Sequence, residues 1–93
     1  MAIFRTPHGD QIAIVGRFQK SGFFHQLFGT PYYDVFVNGK QVPVKFDNTI
    51  HGTMYDANHY TIYIFNPGLS GFNARIRCCC DDFFKGPVPW EKS

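Results

Sequence analysis

The sequence predicts an α+β domain, an antiparallel sheet of about five strands with one short helix packed on it. Three observations carry that prediction. Apolar and polar side chains alternate over residues 11–18, 59–65 and 72–80, the period of a half-buried strand. Asn38-Gly39 separates two β-branched and aromatic runs and marks a two-residue hairpin turn. Phe23, Phe24, Leu27 and Phe28 fall instead at helical spacing. With 93 residues and no repeat or linker, a single domain is expected, its residues 86–93 forming an extended tail.

Ile3-Phe4 and residues 11–18 read as strands around a turn at Pro7-His8-Gly9-Asp10. Ile12, Ile14 and Phe18 share one side, and Arg17 lies opposite. Ser21 caps a helix over 21–28, and Gly29 before Pro31 stops it. So short a helix needs the sheet beneath it to persist. In the hairpin over 32–46, the two-residue loop opposes Val37 to Lys40, Val35 to Val42 and Tyr33 to Val44. Those apolar residues form its core side, and Tyr32, Asp34, Phe36, Gln41 and Lys45 form the other. Pro43 has no N–H to donate, which puts this hairpin at a sheet edge.

Gly52 and a mixed pattern make residues 47–58 a loop or a weak helical turn. Tyr60, Ile62 and Ile64 then point to one side of a strand, with Thr61, Tyr63 and Phe65 on the other. After the turn residues of 66–71, the next strand directs Phe72, Ala74, Ile76, Cys78 and Cys80 inward. Asn73, Arg75, Arg77 and Cys79 point outward. Asp81 is expected to cap a short turn at Phe83-Phe84, ahead of the tail.

Composition excludes several classes. Apolar residues at 44% and charged residues at 17% describe a chain that folds rather than one kept disordered by charge. Nine Lys+Arg against seven Asp+Glu give +2, only mildly basic. Asp10 and Arg17 interrupt the first twenty residues, so no signal peptide is expected, and no apolar run is long enough for a bilayer. The three cysteines are consecutive and cannot all pair within the chain, and adjacent cysteines make strained bridges. Free thiols in a reducing cytoplasm are therefore expected.

Catalytic signals are weak. The chain has no Walker loop, no Gly-x-Ser-x-Gly and no His-Glu-x-x-His. The cysteine run lacks zinc-type spacing, and alternation sends Cys79 away from Cys78 and Cys80. His8, His25, His51 and His59 show no short ligand spacing either. No metal or cofactor is expected. Cys79 beside Arg77 raises the alternative of a reactive thiolate, which needs a base such as His25, His51 or His59. Asp81 and Asp82 are sequence neighbours, unlike the carboxylates that face each other across a catalytic cleft. The expectation is a protein without enzymatic activity.

Binding signals are stronger. Inward packing of both strands in the last hairpin opposes Ile64 to Ala74 and Ile62 to Ile76. Its outer face then pairs Phe65 with Asn73, Tyr63 with Arg75 and Thr61 with Arg77. Rings beside guanidinium groups suit stacking and phosphate contact. The competing readings are a cross-strand cation–π pair of Arg75 with Tyr63, and burial of this face under helix 21–28. A second candidate patch holds Phe36, Lys40 and Lys45. The functional expectation is a small binding protein acting by occupancy on a protein complex or ribonucleoprotein. Phage-encoded inhibitors of host defence, anti-CRISPR proteins among them, match it in size and character, though no residue pattern links them. The alternatives are a single-strand RNA or DNA binder on an OB-like barrel, a Cys79-dependent enzyme or redox sensor, and a particle subunit docking through residues 87–90.

Overall fold

Nearly every apolar segment between turns has the period of a strand, and the chain follows that period. A computed structural model of the protein describes residues 1–19, 30–48, 52–79 and 81–91. Among them, β1 (Ala2–Arg5), β2 (Gln11–Gln19), β3 (Thr30–Val37) and β4 (Lys40–Gln41) form one sheet in that order. A second sheet holds β5 (Val44–Asn48), β6 (Gly52–Ala57), β7 (Tyr60–Phe65), β8 (Gly71–Cys78) and β9 (Asp81–Pro89). Within each sheet every strand pairs antiparallel with the next in sequence.

The expected α+β class is thereby corrected to all-β. The described residues hold no helix, and the single sheet becomes two, of four and five strands. The helix assigned to 21–28 lies outside the described residues. An OB-like barrel of five strands with a helix before the fourth is not this arrangement either.

The Asn38-Gly39 turn forms as its chemistry requires, with φ of 51° and 82° at the two residues. Val37 lies opposite Lys40, and the Val42 amide donates to the Val35 carbonyl at 2.7 Å. There the hairpin stops. Pro43 cannot extend the ladder, and the chain passes to the second sheet, where Val44 pairs with Tyr55. Val44 therefore has Tyr55 instead of Tyr33 as its partner, and it is 52% exposed rather than in the core.

Two further expectations change. Residues 52–57 form a strand, with Tyr55 buried and Asn58, at φ 57°, turning the chain into β7. Residues 81–89 form another, paired along β8 from Cys78–Asp81 to Gly71–Pro89. Asp81 thus opens a strand instead of capping a turn, and residues 86–89 are not a tail. Pro87 and Pro89 are tolerated because β9 is an edge strand.

One core joins the two sheets. Ile12, Ile14, Val35 and Val37 face Ile62, Ile64, Phe72, Ala74 and Ile76 within a single apolar cluster. The C-terminal end closes it: Trp90 stacks on Tyr33 at 6.0 Å, and the Glu91 amide donates to the Gly16 carbonyl at 2.8 Å. The Glu91 carboxylate also pairs with the N-terminal amine. At one end of the molecule Tyr60 hydroxyl donates to Asp10 at 2.7 Å and lies 2.6 Å from buried Thr6. Among the described residues no helix is long and apolar enough to cross a membrane.

Candidate binding groove on the five-stranded sheet

The β7–β8 register is the one expected: Phe65 opposite Asn73, Tyr63 opposite Arg75 and Thr61 opposite Arg77. Side-chain alternation then sends Ile62, Ile64, Ala74 and Ile76 into the core, each 1% exposed or less. Tyr63, Phe65, Arg75 and Arg77 emerge together on the opposite face. Tyr63 and Phe65, two residues apart, stack with ring centroids 5.2 Å apart and planes 20° from parallel.

The newly defined strands extend this face. Phe46 pairs with Met54, Met54 with Tyr63, Tyr63 with Arg75, and Arg75 with Lys85. Those five side chains run abreast across the sheet, apolar at the β5 edge and cationic at the β9 edge. A groove of about 390 Å³ lies along the first four of them, lined by Phe46, Gly52, Met54, Thr61, Tyr63, Arg75 and Arg77. Phe46 is 56% exposed at its rim.

Asp82 organises the cationic end. Arg75 donates to it through Nε at 2.9 Å and Nη2 at 3.2 Å, and Arg77 Nε lies 3.4 Å from the same carboxylate. These charged hydrogen bonds, that from Arg75 foremost, hold the Asp82 pKa below the ordinary carboxylate range despite some desolvation. The geometry depends on a bulge: Ile76 pairs with Phe84 but Arg77 with Asp82, so Phe83 is the extra residue.

The other candidate residues lie elsewhere. Phe36 is half-buried on the four-stranded sheet, across from Ala13 and Gln41, and Lys40 is exposed at the start of β4. Lys45 sits at the β5 bulge and pairs with Asp56 at 2.5 Å. These three form no single patch, because Pro43 moves the chain between sheets. Conversely, Phe46 and Met54 line the groove and Asp82 holds its two arginines, and none of the three was among the expected residues. Reading 81–89 as a strand would not by itself have revealed Asp82, because the register that pairs Ile76 with Phe84 sets Arg77 against Phe83, and only the bulge brings Asp82 opposite an arginine.

His25 and His51 lie outside the described residues, and so does Cys80. Among the described residues the histidine beside the cysteines is His8, whose Nε2 is 3.1 Å from the Cys78 sulfur. Comparison with known proteins finds no counterpart: no family model matches the chain, and no curated protein or solved structure is significantly similar to it.

Proposed function

We propose that the protein is a non-catalytic binding module whose five-stranded sheet docks an extended segment of a protein partner. The segment would carry an apolar anchor next to acidic side chains. The observation that supports this reading is the row from Phe46 to Lys85, apolar at one edge and basic at the other, bordering an open groove. Its volume, about 390 Å³, lies near the lower end of ligand pockets and suits one or two side chains. On this face Arg75, Arg77 and Lys85, with Lys45 beside Asp56, outnumber Asp82 and Asp56, leaving an excess of positive charge. Asp82 also aligns Arg75 in advance, lowering the conformational cost of meeting a second carboxylate.

Such a module acts by occupancy, covering a surface that its partner needs. Inhibition of a host-defence ribonucleoprotein is one activity of that type, and the partner segment here belongs to its protein component. The unpaired thiols of Cys78 and Cys79 support placing the protein in a reducing, cytoplasmic compartment.

A selection of random displayed peptides on the wild-type protein tests the proposal. Peptides joining Phe, Leu or Met to Asp or Glu should be enriched, and Phe46→Asp and Arg77→Glu should each weaken them at least about tenfold, or ~1.4 kcal/mol. Equal binding by wild type and both variants would remove the groove from consideration. Salt-dependent binding of a single-stranded oligonucleotide, without peptide enrichment, would replace the protein partner with nucleic acid.

A further inference from the structure

Strand alternation would separate the Cys78 and Cys79 side chains, but Cys79 has left the strand. Its φ of 53° places it in the left-handed region at the β8–β9 turn, and the two sulfurs come within 3.9 Å. His8 arrives from the β1–β2 turn of the other sheet, with Nε2 3.1 Å from the Cys78 sulfur. All three donor atoms lie within 4.8 Å of one another. Residues 70 positions apart have converged on one point.

Two of the three edges come close to those of a tetrahedral ion. Zinc–sulfur bonds of about 2.3 Å and zinc–nitrogen bonds of about 2.0 Å imply edges of about 3.8 Å between sulfurs and 3.5 Å from nitrogen to sulfur. The observed 3.9 and 3.1 Å need shifts of only a few tenths of an ångström, and the third edge, from His8 Nε2 to the Cys79 sulfur and within 4.8 Å, has to close by up to about 1.3 Å. Burial first, then neighbouring Cys79 and the carboxylates of Asp81 and Asp10, hold the Cys78 thiol protonated in the metal-free protein, and the same negative charges favour a cation that displaces the proton. Access is open, with His8 and Cys79 exposed and Cys78 half-buried. None of these residues lines the groove on the five-stranded sheet.

We propose that His8, Cys78 and Cys79 form a binding site for one thiophilic divalent cation, zinc by chemistry, with a fourth tetrahedral position that no other described residue fills. Two sulfurs and an imidazole select such an ion over magnesium or calcium, which take oxygen ligands. On binding, each thiol gives its proton to solvent and the ion accepts both sulfurs and Nε2. The ion would clamp the β1–β2 turn of one sheet to the β8–β9 turn of the other. His59, whose ring lies 5.1 Å from that of His8 and whose Nε2 is 3.8 Å from Asp10, stands beside the site.

The test uses the full chain, reduced and stripped of metal, titrated with zinc against a chromogenic chelator and separately with cobalt. One zinc per chain should bind and raise Tm, and cobalt should give tetrahedral d–d bands with thiolate charge-transfer absorption. Cys78→Ser, Cys79→Ser and His8→Ala should each lose the bound equivalent. His8→Ala is decisive, because adjacent cysteines can hold zinc even in an unfolded chain while His8 converges on them only in the fold. Zinc-edge X-ray absorption of the wild-type protein, which requires no variant to fold, should count two sulfur neighbours and at least one nitrogen. Undiminished binding by folded His8→Ala, an octahedral cobalt spectrum without thiolate absorption, or no zinc retained would each overturn the proposal.

Discussion

Gly16 is a residue where side-chain identity is dictated from the opposite sheet. A Cβ there would lie 2.2 Å from Cε1 of Phe72, itself buried and ringed by Tyr33 and Trp90 at 5.0 Å each. Gly16→Ala should therefore overpack the core and cost about 1–3 kcal/mol. Urea unfolding should show a lower midpoint at unchanged slope. The need for glycine at this point is invisible in the strand pattern, which marks Ile12 and Ile14 as inward but says nothing of the ring facing residue 16. Asp82 and Cys79 teach the same lesson. Each acquires its neighbours through a departure from regular strand, a bulge for one and a left-handed turn residue for the other.

At the scale of elements, β9 and its continuation hold the molecule closed. Trp90 stacks on Tyr33, leans on Phe72, and donates its indole N–H to the Gly68 carbonyl at 2.8 Å. Trp90→Ala should cost about 2–3 kcal/mol, somewhat less than the loss of a fully buried large ring. Thermal unfolding of the variant should show it as a lower Tm. Removing residues 87–93 should destabilise the fold for the same reason, rather than merely uncover a docking tail. The β7–β8 register was readable because both strands alternate without interruption, and one inward solution satisfies both. Strands β6 and β9 were not, since Gly52, Gly86, Pro87 and Pro89 imitate loop composition. Their strand state comes from pairing with neighbours that a local pattern cannot reveal.

Across the whole molecule, the shared core sets the response to alkali. Burial raises the Tyr33 pKa to about 12, with a smaller contribution from the Asp47 charge, and burial likewise raises Tyr55 to about 12. Tyr60 moves in the same direction, again chiefly through burial. These shifts favour the protonated phenols in the folded state. The stability they contribute is complete below the unfolded value of about 10 and is lost as pH rises through the folded values. Ultraviolet titration should thus show Tyr33, Tyr55 and Tyr60, of the five tyrosines, ionising late or together with unfolding. Simple titration of all five near pH 10 in the folded protein would contradict that burial.

Local sequence settled the Asn38-Gly39 turn and the inward residues Ile12, Ile14, Ile62, Ile64, Ala74 and Ile76, because a period of two with a tight turn leaves few arrangements, but it missed the turns at Asn58 and Cys79. It could not set the number of sheets. That was decided where Pro43 ends one ladder and the chain finds new partners, and where Trp90 and Glu91 return to the first sheet. The groove and the His8–Cys78–Cys79 cluster belong to the second category. Both consist of side chains from separate segments, brought together by burial of one core whose energy depends on every strand at once.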